Sequence, residues 1–170
     1  QTRILATDYF PTHRPPHVEE LWPVERLDDL LRESEILILT LPLNEGTRGL
    51  IDAKKLALLP KGAIVINVAR GQVIVERDLV AALQSGHLAG AGLDVAEVEP
   101  LPPESPLWEM PNVLITPHVG AQSRRRLDDT TVLVCENLRR YFSGEPLYNV
   151  VEKELGFPRP ENVYRLPPSG

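Results

Sequence analysis

Ala63-Ile64-Val65-Ile66-Asn67-Val68-Ala69-Arg70-Gly71 is an apolar run, broken by one amide, that ends in an arginine and a glycine. Short and rich in β-branched residues, it reads as a strand buried on both faces, the kind found in a parallel sheet covered by helices. Arg70 then stands at the strand's carboxyl end, the edge at which open α/β sheets bind their ligands. A guanidinium there is a fork for a carboxylate. On this stretch alone, pairing with a neighbouring loop is an equally good reading.

Outward from that strand the pattern repeats. Ile36 to Leu41 is a second apolar strand closed by Pro42, and Val113 to Thr116 a third. Ala89 to Val95 is a strand of small residues ending in an acid, Asp94. Between them, Leu27, Leu30 and Leu31, then Lys54 to Leu59, then Leu79, Val80 and Leu83 fall at helical spacing. Alternating strand and helix predicts an α/β fold, a doubly wound parallel sheet. Gly90 and Gly92 imitate the start of a dinucleotide fingerprint, but Val95 occupies the third glycine's place and no helix follows. They read as close-packing glycines instead. Residues 9 to 23 hold four of the 17 prolines and predict an extended connection, and residues 151 to 170 an extended tail. Ser123 to Phe142 predicts one long helix with Leu127, Thr131, Val134 and Leu138 on one face, and Cys135 near that face reads as core rather than as a nucleophile.

Composition bounds the function. With 170 residues, 42% hydrophobic and 25% charged, the chain is long enough for one soluble domain with a sizeable core. A net charge of -6 and no concentrated basic face leave no footprint for nucleic acid or an anionic membrane. The single cysteine, Cys135, supplies neither a disulfide framework nor a thiolate metal site, so no metal and a reducing cytoplasm are expected. No apolar stretch approaches the ~20 residues that span a bilayer. The chain is strand-like almost from Gln1, so at least one further strand and helix are expected before it in a longer protein.

Three strand ends carry chemistry. Arg70 follows one, Asp94 with Glu99 the next, and His118 the third. An Arg for a carboxylate, a His to move a proton and a Glu to orient that His form a coherent set for oxidising a 2-hydroxy acid. Taken singly, His118 reads first as a structural histidine hydrogen-bonded in its loop. Asp8, at the end of the first strand, is a turn former or a ribose-binding acid.

The segments Leu41-Pro42-Leu43-Asn44 with Thr47-Arg48-Gly49, Asn67-Val68-Ala69-Arg70-Gly71, Gly92-Leu93-Asp94-Val95 with Glu99-Pro100-Leu101-Pro102, and Thr116-Pro117-His118-Val119-Gly120 resemble the D-isomer-specific 2-hydroxyacid dehydrogenases over residues 3 to about 150. The resemblance implies a Rossmann-like NAD-binding domain, here without its first strand, glycine-rich turn and helix, over residues 1–143. Residues 144–170 would be the return segment toward a substrate domain. It further implies hydride exchange between NAD(H) and a small D-2-hydroxy or 2-oxo acid, in a protein that is a homodimer when full length. Arg70 would hold the substrate, Glu99 would bond the imidazole and His118 would be the acid/base. Leu41, Pro42, Thr47, Val68, Ala69, Arg70, Asp94, His118, Gly120 and Ala121 would line the cofactor groove. Asp8 matches the ribose-binding acid, and its charge repels a 2′-phosphate, which favours NAD over NADP. Glu rather than Gln at position 99 argues against the formate-oxidising branch. The C-terminal-binding-protein corepressors resemble the same family, so an NAD(H)-responsive binding protein is one alternative and an inactive truncated remnant another.

Overall fold

The computed structural model describes residues 2–165, which divide between His118 and Val119 into two compact units. The first unit runs β1 (Leu5–Asp8), β2 (Glu20–Pro23), α1 (Leu27–Glu33), β3 (Ile36–Leu39), α2 (Ala53–Leu56), β4 (Ala63–Asn67), α3 (Glu76–Gln84), β5 (Leu88–Leu93) and β6 (Val113–Ile115). Strands β3, β4, β5 and β6 form a four-stranded sheet in that order, every pair parallel. Strands β1 and β2 pair in parallel as a separate two-stranded sheet. The architecture is α/β and Rossmann-like, as the alternation of strands and helices predicts.

Local chemistry sets the element ends. Asp52 caps α2, accepting a hydrogen bond from Lys55 N at 2.9 Å. Helix α3 stops at Ser85, where Gly86 enters the left-handed region at φ 71. Asp78 of α3 accepts from Ala53 N at 2.9 Å, which ties the two helices together. Leu31, Leu56, Leu79 and Leu83 face Leu37, Val65 and Leu88 of the sheet in one core. Each fully buried leucine contributes about 1.5–3 kcal/mol. Gly90 lets β5 pass the Asn112 carbonyl, for a Cβ there would lie 2.7 Å from it. That is the close-packing role its sequence predicts, and the fingerprint reading is correctly set aside.

Four expectations need correction. Val65 is fully buried and Asn67 nearly so, but Ile64 is 39% exposed, with Ile36, Ile38 and Leu114 exposed on the same sheet face. The central run is therefore buried on one face only, because an apolar run does not say what covers each side. Residues 9 to 23 are not wholly a connection, since β2 closes them. Residues 151 to 165 are no extended tail either. Val151–Glu152 (β7) and Phe157–Pro158 (β8) pair antiparallel, while Pro167 and Pro168 lie outside the described residues. In the second unit α4 (Arg126–Ser143) ends at Gly144, φ 69, but none of its residues is buried and Leu127, Val134 and Leu138 are exposed. That unit is held mainly by polar contacts. Arg140 lies 3.8 Å over the Tyr148 ring, and Asn137 exchanges two hydrogen bonds with the Tyr148 backbone.

Candidate active site

Because the four strands are parallel and in register, their last residues Leu39, Asn67, Leu93 and Ile115 stand side by side. Every loop that follows them leaves from one edge. The loop after β4 is shaped by Asn67, whose side chain is 1% exposed. Its Oδ1 accepts from Ala69 N at 3.0 Å, its Nδ2 donates to Arg70 O at 3.1 Å, and its own carbonyl accepts from Asp94 N at 3.0 Å. One amide thus folds Val68 to Arg70 back over the strand end and joins that turn to the next strand. Arg70 is exposed and extended, with Nη1 on the Ala69 carbonyl at 2.7 Å.

Asp94 is buried and accepts from Thr116 Oγ1 at 2.6 Å, linking the ends of β5 and β6. His118 follows with a left-handed backbone, φ 53, its N–H bonded to Thr116 O at 3.0 Å. Such a conformation is uncommon outside glycine and collects at functional sites. His118 Nδ1 meets Glu99 Oε2 at 2.8 Å, and Glu99 Oε1 accepts from Ala96 N at 3.1 Å. With Nδ1–H donating to Glu99, a neutral ring keeps its lone pair on Nε2.

The hydrogen bond from His118 holds the Glu99 carboxyl below its ordinary range, against the opposing effect of desolvation, and the Ala96 N–H and the positive charges of His118 and Arg70 add to the lowering. A carboxyl whose folded pKa is depressed stabilises the fold above its unfolded value and loses that contribution as pH falls through the lowered one. A ¹³C carboxyl titration is therefore expected to place Glu99 below ~4.3, the value of a free glutamate. In His118→Ala it should move back up. A Glu99 that titrates at the free value in the native chain contradicts this geometry.

The structure thus brings Arg70, Glu99 and His118 to one sheet edge, with Asp94 just behind. Leu41 and Pro42 follow β3 on the same edge. Thr47 closes their turn, its hydroxyl donating to Pro42 O at 2.7 Å and accepting from Asn44 N at 2.8 Å. Val68 is 45% exposed and Ala69 buried beside Arg70. Asp8 is not gathered in with these. It ends β1 in the other sheet, exposed, with Oδ1 accepting from Phe10 N at 2.7 Å. Gly120 and Ala121 belong to the second unit, in the turn closed by Gln122 N on Val119 O. Asn67 and Thr116 were quoted in the sequence motifs without a role. The signal for Asn67 was an amide inside an otherwise apolar strand, which is costly unless it bonds the backbone. Among the described residues no three His, Cys, Asp or Glu side chains cluster as metal ligands, and no helix is long and apolar enough to cross a membrane.

Known proteins resemble this chain in sequence and in fold. A family model described as D-isomer specific 2-hydroxyacid dehydrogenase, NAD binding domain, matches residues 1–120. Glyoxylate/hydroxypyruvate reductase A of Klebsiella pneumoniae is 42% identical over 142 residues, 84% of this chain and 45% of that protein. Glyoxylate reductase of Thermococcus kodakarensis is 38% identical over 149 residues, 86% of this chain and 44% of that protein. The solved NADPH-dependent glyoxylate/hydroxypyruvate reductase of Sinorhizobium meliloti, in complex with NADP and sulfate, superposes with a TM-score of 0.80 at 38% identity, over 91% of this chain and 49% of that one. The chain spans about half the length of the curated relatives it matches.

Proposed function

The chain belongs to the D-isomer specific 2-hydroxyacid dehydrogenase family, and from that premise we propose that it forms the proton-transfer edge of an NAD-dependent oxidoreductase for a small D-2-hydroxy acid or its 2-oxo partner. The observation that carries this is the 2.8 Å contact between His118 and Glu99 beside Arg70. In this reading the whole protein is longer. Residues 1–143 are part of its cofactor domain and residues 144–170 lead toward its substrate domain, in a cytoplasmic homodimer.

The edge fits a nicotinamide coenzyme. Exposed Val68, beside Arg70, and exposed Pro42, on the same sheet edge, offer apolar surface rather than another charge. Leu41, Pro42, Thr47, Val68 and Ala69 would hold the coenzyme, with Asp94 behind them and Asp8 on a ribose. Once bound, it supplies or accepts the hydride. Arg70 holds the substrate carboxylate and stabilises the C2 oxygen as negative charge grows there. Protonated His118 donates from Nε2 to that oxygen, and Glu99 keeps the ring oriented while it does so. Oxidation runs the same proton the other way, onto neutral His118.

Asp8 favours NAD. Two like charges ~4 Å apart repel by about 4 kcal/mol at the effective dielectric of surface pairs. A third of that already amounts to about tenfold in kcat/KM. The full-length protein carrying this chain is therefore expected to oxidise NADH at least ~10-fold more efficiently than NADPH. Asp8→Ser should narrow that gap. The assay is coenzyme oxidation with glyoxylate, hydroxypyruvate, pyruvate and phosphohydroxypyruvate. No turnover with any of them overturns the enzyme reading, and a preference for NADPH overturns the role of Asp8.

A further inference from the structure

The loop that carries Glu99 is latched to the loop that carries Arg70, and the latch uses a residue with no part in the chemistry above. Helix α3 begins at Glu76 behind Val75, whose side chain has no acceptor to cap the helix. The missing cap comes from the other loop. Glu97 Oε2 accepts from Glu76 N at 3.0 Å, and Glu76 Oε2 accepts in return from Glu97 N at 3.2 Å. Gln72 Nε2 adds a third bond, donating to the Glu97 carbonyl at 2.8 Å. The helix N-terminus favours both carboxylates, which lets two negative side chains sit together.

The geometry points to Glu97 as a positioning residue. Held by Glu76 and Gln72, it fixes the 96–99 loop against the 71–76 segment, and so sets Glu99 on His118 beside Arg70. Three successive side chains of this loop go to three different places. Glu97 reaches back to α3, Val98 is 60% exposed, and Glu99 reaches His118 while also bonding Ala96 N. Freed at Glu97, the loop would carry Glu99 away from the imidazole by whatever distance the Ala96–Glu97 peptide moves. This inference rests on the reading of Arg70, Glu99 and His118 as the site.

The test reads the pair without turnover. In the ¹³C-labelled chain, the carboxyl of Glu99 is titrated in the native protein and in Glu97→Ala, Glu97→Gln and Gln72→Ala. The groups that face Glu99 are His118, the Ala96 N–H and Arg70. Removing the Glu97 charge by itself makes Glu99 easier to ionise and lowers its titration. Loss of the His118 bond raises it, so the direction separates electrostatics from positioning. The expected result is a rise in the Glu99 titration in Glu97→Ala, toward that of His118→Ala. Glu97→Gln keeps an acceptor for Glu76 N and should show no rise. Gln72→Ala, which alters no charge, should show a smaller rise. An unchanged or lowered Glu99 in folded Glu97→Ala overturns the proposal, as does a Gln variant that behaves like Ala. If Glu97→Ala does not fold, an unchanged Glu99 in Gln72→Ala overturns it. Lack of dehydrogenase activity touches the previous reading and leaves this titration to be judged alone.

Discussion

His118→Ala is expected to lower turnover of the full-length protein by about 10²–10⁴-fold, the usual contribution of a positioned general acid. The loss should fall on kcat, with the KM for NADH changed by less than about threefold, because the imidazole acts on an oxygen whose charge appears only in the transition state. Three observations support so large an effect. The backbone of His118 is left-handed at φ 53, Glu99 bonds Nδ1, and a neutral ring that donates from Nδ1 keeps its lone pair on Nε2. Reduction takes a proton from the imidazolium, so its rate should fall as pH rises, and oxidation should fall as pH drops. Steady-state rates in both directions across pH 5 to 9 check this. A His118→Ala enzyme within tenfold of the native rate, or one with the native pH profile, removes His118 from the chemistry.

What the sequence made legible, and what it hid, follows from the range of the forces involved. Strands β3, β4 and β6 were readable because a short β-branched run says strand by itself, although each run continues one or two residues past the strand's end at Leu39, Asn67 or Ile115. Placing Arg70, Glu99 and His118 together needed only the inference that such strands lie parallel, so that their carboxyl ends share an edge. Strand β2 was hidden because Glu20-Leu21-Trp22-Pro23 has neither length nor alternation. It exists through its pairing with β1, a contact no local pattern encodes. The bonds that hold the site were hidden for a related reason. Thr116 to Asp94 and Glu97 to Glu76 each join residues about 20 positions apart, through a single acceptor whose partner lies on another strand's loop. The open face carrying Ile36, Ile38 and Leu114 was misread in the opposite direction. Hydrophobicity reports that a face avoids water in the complete fold, not which segment supplies the cover.

Gly71→Ala is expected to be the most damaging of the small substitutions in this unit. A Cβ on Gly71 would lie 1.8 Å from the Ala96 carbonyl oxygen, 1.9 Å from its carbon and 2.5 Å from Glu97 N. All three are backbone atoms, so no side chain can swing aside. The two loops must part by more than an ångström, and the bonds across that seam stretch with them. These are the contacts of Gln72 and Glu76 with Glu97. Overpacking of this kind costs about 3 kcal/mol, and in a domain of this size that is roughly a 10 °C fall in Tm. Gly46→Ala is the matched control. Its Cβ would meet only the Asn44 side chain, at 3.5 Å, and thermal melts should leave it within about 0.5 kcal/mol of the native chain. In whatever fraction of Gly71→Ala stays folded, Arg70 and Glu99 are no longer held at one separation. Turnover should then fall further than the loss of folded protein accounts for, with the ¹³C titration of Glu99 moving up as it does so. A Gly71→Ala chain that melts with the native protein and keeps its Glu99 titration shows that the two loops do not touch as closely as the structure places them.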